Sequence, residues 1–118
     1  MRADWVLDDQ PVWLNAAGGR SVAAIPYTVE INDVVISAVQ QHRSDEIYIR
    51  GRDQFDRLYA EGAGSARVMA ISIHPYLTGV PHRIKYLEML YDYIGGHDGV
   101  LMWKGEEILD WFKGEVPA

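Results

Sequence analysis

The chain contains no cysteine. That absence excludes a disulfide scaffold, thiolate zinc sites and a cysteine nucleophile, and it fits a reducing compartment, with the cytoplasm as the expected location. A basic stripe is also lacking. The 11 Lys and Arg residues stand singly against 17 Asp and Glu, for a net charge of -6, so the positive footprint a phosphate backbone demands is missing and no nucleic-acid partner is expected. No apolar run approaches the roughly 20 residues of a membrane span. The N-terminal MRADWVLDDQ puts acids where a signal peptide needs its apolar segment, so neither a membrane nor a secretory role is expected. Repeats, low-complexity tracts and a linker rich in Ser, Gly or Pro are absent too. What remains is 118 residues, 48% of them hydrophobic, enough for a single domain over 1–118 with a modest core.

Along the chain the patterning alternates. The stretch RSVAAIPYTV, residues 20–29, is a short apolar run after a Gly-Gly turn and reads as a buried strand running into a loop. NDVVISAVQQH, residues 32–42, reads as a short helix capped by Asn32. RDQFDRLYAEGAG, residues 52–64, reads as a helix that Asp53 can cap and Gly62 can close, with Phe55, Leu58 and Tyr59 on one face. ARVMAISIH, residues 66–74, is apolar at nearly every position, as a parallel strand covered on both faces should be. PHRIKYLEMLYDYIGG, residues 81–96, is the strongest helix, with Pro81 in its first turn and Ile84, Leu87, Leu90, Tyr91 and Ile94 on one stripe. GVLMWKG then reads as a third strand, and EEILDWFKG as a closing helix with acids first and Lys113 last.

Strand and helix in alternation imply parallel pairing with right-handed crossovers, an α/β layout. In such folds ligands gather beyond the carboxyl ends of the strands. His74 ends the best strand, Pro26 and Tyr27 follow the first, and Trp103 and Lys104 end the third, so one rim is expected to collect imidazole, aromatic and basic groups.

Taken singly, most of these residues have structural readings. Asp8 and Asp9 suit a turn before Pro11. Trp13, Trp103 and Trp111 carry large apolar area and suit a core or interface. His82, eight positions after His74, has no fixed ligand geometry with it, and His42 and His97 are expected in solvated polar loops. Glu106 and Glu107 suit a helix start. Arg83 is open between recognising a carboxylate or urea group and pairing with Glu88 on the helix surface.

Four separated segments, DWVLDDQPVWL, IPYTVEINDV, ISIHPYLTGVPHRIKYLEMLYDYI and GVLMWKGEEILDWF, resemble in order the C-terminal part of the polysaccharide deacetylase family, in its branch of small-amide hydrolases that includes the deacetylase-type allantoinases. The resemblance runs from Asp4 to about Phe112. It implies a partial (β/α) barrel of about three parallel strands with helices, and a hydrolase of non-peptide C–N (amide) bonds acting on a small amide or ureide. In the family the histidine matched by His74 is the general acid to the leaving nitrogen, a role suited to imidazole because an amine leaves an amide only when protonated. Asp8 and Asp9 match the acidic pair that helps orient the histidine or the substrate, with Asp9 on the catalytic side. Trp13, Tyr27, Glu30, Asn32 and Asp33 match positions lining the pocket mouth, and Arg83 a basic residue after the histidine turn.

The family's Asp-Asp segment with its catalytic base and its His-x-x-x-His segment have no counterpart in this sequence. No cofactor is therefore expected within this chain, although the complete family barrel allows a divalent metal. A whole barrel needs about seven or eight strand-helix units, and this chain supplies the last three, so a truncated or split form with little activity alone is expected. A three-stranded parallel sheet would expose edges and an apolar face, which predicts a homo-oligomer; the alternative to a hydrolase is a noncatalytic, self-associating module.

Overall fold

The computed structural model describes Met1 and residues 7–118. Asp4 and Trp5, which belong to the first family-like segment, lie outside the described residues. The chain begins with an antiparallel hairpin, β1 (Val12–Ala16) and β2 (Arg20–Ala24), paired from Val12 opposite Ala24 to Ala16 opposite Arg20. Its three-residue loop needs the left-handed region twice, at Gly18 (φ 75°) and Gly19 (φ 69°), where a side chain would be strained and glycine is not.

Three helices follow a π-helical turn over Val34–Val39. They are α1 (Glu46–Gly62), α2 (Ile84–Gly95) and α3 (Gly105–Glu115). The periodic segments are thus helical as expected, although α1 starts six residues before Arg52, with Asp53 inside it. Glu107 at the start of α3 accepts a 2.6 Å hydrogen bond from the backbone N–H of Lys104, one half of a capping box.

The expected three-stranded parallel sheet is where structure and sequence part. Among the described residues the sheet is the two-stranded hairpin alone, and the segments expected as strands at 66–74 and 99–105 run without a ladder. Among the described residues, segment 66–72 has backbone partners at only two places. Val68 donates to the Asp9 carbonyl at 2.8 Å, and Ser72 pairs in parallel with Asn32, donating to Ile31 (2.9 Å) and accepting from Asp33 (3.1 Å). A strand is defined by its neighbours, and contacts this sparse do not make one.

Two half-buried side chains of that segment nevertheless join the two parts of the core. Met69 and Ile71 pack against both apolar clusters, one of Ile31, Ile36 and Ile47, the other of Phe55, Leu90 and Ile94. Burying this apolar surface is the main stabilising term, and it holds the chain extended up to His74.

Helices α1 and α2 meet at Gly51, where an added β-carbon would fall onto the side chain of fully buried Leu90, 2.8 Å from its Cδ1 and nearer still to Cδ2. Overpacking of this kind costs about 1–3 kcal/mol, against about 1 kcal/mol that alanine returns in helix propensity. Gly51→Ala is therefore expected to lower the urea unfolding midpoint by the equivalent of up to about 2 kcal/mol; a raised midpoint would show that the two helices have room to part.

Candidate active site

Asn32 starts the π-helical turn by accepting a 2.9 Å hydrogen bond from the Val34 N–H on its side-chain oxygen. This is the cap its position predicted, and it leaves the next residue, Asp33, facing inward. The parallel bridge between Asn32 and Ser72 then lays Asp33 beside the chain entering His74.

Asp33 is 1% exposed. Its Oδ1 lies 2.7 Å from His74 Nδ1, while its Oδ2 accepts from the His74 backbone N–H and from Thr78 Oγ1, both at 2.7 Å. Burial alone would raise the carboxyl's pKa, but the hydrogen bonds from the His74 backbone, the Thr78 hydroxyl and the His74 ring, with the ring's charge, together hold it below the usual Asp value of 3.8. Asp33 is thus an ionised acceptor, and an ionised carboxylate has no proton to give. The proton in the ring contact therefore sits on Nδ1, which fixes the orientation of the imidazole and leaves Nε2 as its second functional nitrogen.

His74 is 41% exposed at its side chain. Tyr76, itself 70% exposed, stands edge-on to its ring with centroids 5.5 Å apart. The turn after His74 is closed by Leu77 and Thr78 N–H groups donating to the His74 carbonyl, and by Gly79 donating to Pro75. Position 79 admits only glycine, because a β-carbon there would collide with the Pro75 carbonyl oxygen.

The other expected site residues are dispersed. Asp33 lies buried behind the histidine, not at a pocket mouth, and it is the residue that grips His74. Asp8 accepts from the Asp9 N–H at 2.7 Å, a turn of the kind its residue type alone suggested, and the Asp9 carbonyl is engaged with Val68. Trp13 faces α3, with its indole N–H on the Val116 carbonyl at 2.7 Å and its ring 5.2 Å from Phe112, so it is grouped with the C-terminus and not with His74. Glu30 is exposed in a bend. Arg83 donates to the Leu77 carbonyl at 3.4 Å, its Nε is buried without a partner, and it forms no ion pair with Glu88 among the described residues. His97 is no solvated loop histidine. It sits among Phe55, Tyr59 and Tyr93 at centroid distances of 4.8–5.0 Å and bonds the Tyr93 carbonyl through Nδ1.

The rim is divided. Pro26, Tyr27, Trp103 and Lys104 do come together, lining an open, largely apolar cleft of about 1040 Å³ that Leu101, Met102 and Ile108 also face, but His74 is not among its lining residues. Among the described residues no three His, Asp or Glu side chains group as a metal site, and the facing atoms of Asp33 and His74 are spent on each other. The divalent metal allowed by the resemblance finds no ligand set in them. Among the described residues no helix is long and apolar enough to cross a membrane.

No family model matches the chain. It is 32% identical over 120 aligned positions to a protein of Schizosaccharomyces pombe named "Putative polysaccharide deacetylase", a match that takes in 93% of this chain and 38% of that one. Its fold superposes on the crystal structure of PuuE allantoinase with a TM-score of 0.91 and 29% identity, covering 98% of this chain and 39% of the other. The resemblance to the polysaccharide deacetylase family thus holds across nearly the whole chain, which spans under two fifths of the length of each relative.

Asp33→Asn removes the charge and leaves amide hydrogens facing a site built of donors. It is expected to lower the unfolding free energy at pH 7 by about 2 kcal/mol. Because the folded carboxyl titrates below its unfolded value, its contribution is complete above pH 3.8 and is lost as pH falls through the lower folded value. Urea denaturation in a pH series is expected to show the gap between wild type and variant closing on acidification.

Proposed function

We propose, for a chain similar over nearly its whole length to parts of a polysaccharide deacetylase and of an allantoinase, that it forms the acid-bearing wall of a hydrolase of non-peptide C–N (amide) bonds, within a partial (β/α) barrel. The observation that carries the proposal is the Asp33–His74 pair, a buried carboxylate holding an imidazole whose other face is open. Amide hydrolysis needs this element. Water adds to the carbonyl carbon, and the C–N bond of the resulting tetrahedral species breaks only when its nitrogen takes a proton. Protonated His74 delivers that proton from Nε2, and Asp33 stabilises the imidazolium before the transfer. The proton released by the attacking water restores the imidazolium for the next cycle. Activation of that water is left to groups beyond this pair.

The substrate is a small polar amide or ureide. Of the expected contacts the Arg83 guanidinium, beside the His74 turn, is the best placed; Tyr27 faces the separate cleft, and Asp8, Asp9, Trp13, Glu30 and Asn32, which the resemblance also suggests, stand outside the Asp33–His74 pair. A cytoplasmic location belongs to the same reading.

The open cleft favours a second property, association with another copy of the chain. Leu101, Met102 and Trp103 are 65%, 59% and 40% exposed, beside segments whose backbone groups lack a ladder among the described residues, and such surfaces are normally covered. In a noncatalytic reading this is the chain's whole role.

Light scattering on the isolated chain is expected to give a dimer or larger species, with little or no release of ammonia or acid from allantoin and simple amides. The hydrolase reading is tested by putting this chain in place of the matching segment of PuuE allantoinase and assaying the same substrates. Turnover that falls about 100- to 10,000-fold in His74→Ala is expected; a folded, active hybrid indifferent to that substitution would refute it.

A further inference from the structure

The turn His74-Pro75-Tyr76-Leu77-Thr78-Gly79 ends where it began. Its backbone folds back so that Thr78, 3% exposed, meets the same carboxylate that holds His74. Asp33 therefore takes two bonds on Oδ2, one from each end of the turn, and presents Oδ1 to the ring. A buried carboxylate with one of its oxygens underbonded would be free to rotate about its last torsion, and the ring would follow. With both ends of the turn tied to Oδ2, that rotation is blocked.

We propose that Thr78 is a positioning residue, whose hydroxyl locks Asp33 against His74 and sets how tightly the imidazole holds its proton. The direction follows from the chemistry of the shared anion. Each hydrogen bond donated to a carboxylate withdraws charge from it and weakens its pull on the remaining donor. With the hydroxyl in place Asp33 orients His74 while attracting its proton less strongly, which makes the imidazolium a better acid; without it, the carboxylate turns its full charge on the ring and His74 becomes harder to deprotonate. The groups that face His74 are few. Asp33 meets it from the 31–33 segment and Tyr76 from its own turn, and among the described residues no other ionisable side chain bonds or stacks on it.

As a statement about catalysis this rests on the hydrolase reading; as a statement about the proton on His74 it does not, and the experiment separates the two. The imidazole of His74 is titrated by NMR in the 118-residue chain, following its ring carbon and nitrogen shifts, in wild type, Thr78→Val, Thr78→Ala and Thr78→Ser. The valine is nearly isosteric, the alanine cannot overpack, and the serine keeps the hydroxyl. We expect both hydroxyl-free variants to raise the midpoint of His74 by about half a pH unit, and the serine to return it to the wild-type value. Titration curves that coincide in all four proteins would overturn the proposal. So would unfolding of both hydroxyl-free variants with serine folded, since the hydroxyl would then be a structural bond alone. If the allantoinase hybrid is folded and active but indifferent to His74→Ala while these shifts appear, the hydrolase reading fails and the positioning role stands.

Discussion

Asp33 is a charge that the fold has buried, and it is tolerated because three donors converge on it. All three come from residues 74–78. The carboxylate and the turn therefore need each other: removing the turn leaves an uncompensated buried anion, and removing the anion leaves the turn's donors unanswered. That mutual requirement reaches further back. The turn lies in register with Asp33 only because Ser72 pairs with Asn32, and Ser72 is carried there by Met69 and Ile71 packing into both core clusters. Core, bridge, carboxylate and imidazole form one dependent series, with His74 as its exposed end.

Helices α1, α2 and α3 are legible in the sequence because the pattern that makes a helix is local. The stripe Leu87, Leu90, Ile94 and the acids before Trp111 say what they will do within one or two turns. The cap at Asn32 is legible for the same reason. Strand identity is not local, and the apolar run at 66–74 could announce burial but not a partner. The role of Asp33 was hidden likewise. The resemblance puts it at a pocket mouth, and only a contact 41 positions away turns it inward. Thr78 carries no signal of its own; the neighbouring Pro75 and Gly79 mark a tight turn, which is the one hint that its hydroxyl comes back toward His74. His97 follows a Gly-Gly pair that reads as a loop, yet the preceding helix places it among the three aromatic rings.

The proposed acid and the cleft occupy different parts of the chain. An imidazole 41% exposed works in a solvent-like dielectric, where charges are screened and a proton has many competing acceptors. Apolar side chains meanwhile face outward around Leu101 to Trp103. In the proposed reading each is covered by further polypeptide, which would dry the imidazole in one place and bury the apolar rim in the other. The likeness to 39% of a larger allantoinase, at a TM-score of 0.91, is in keeping with such an arrangement: the local fold matches that of a fuller protein although most of that protein lies beyond the match.

The bridge between Asn32 and Ser72 also orders events in time. Helices α1 and α2 draw on contacts between near neighbours in sequence, whereas Asp33 reaches His74 only after the chain between them has been closed into a loop, at an entropic cost that precedes the contact. Until that closure the histidine is an ordinary exposed imidazole on an unfinished chain. A fluctuation that frees residues 31–33 from Ser72 would return it to that condition while leaving the helices formed. Sequence separation thus predicts that the pair assembles after the individual helices and opens before they do, so that a fixed His74 would report that what lies beneath it is in place.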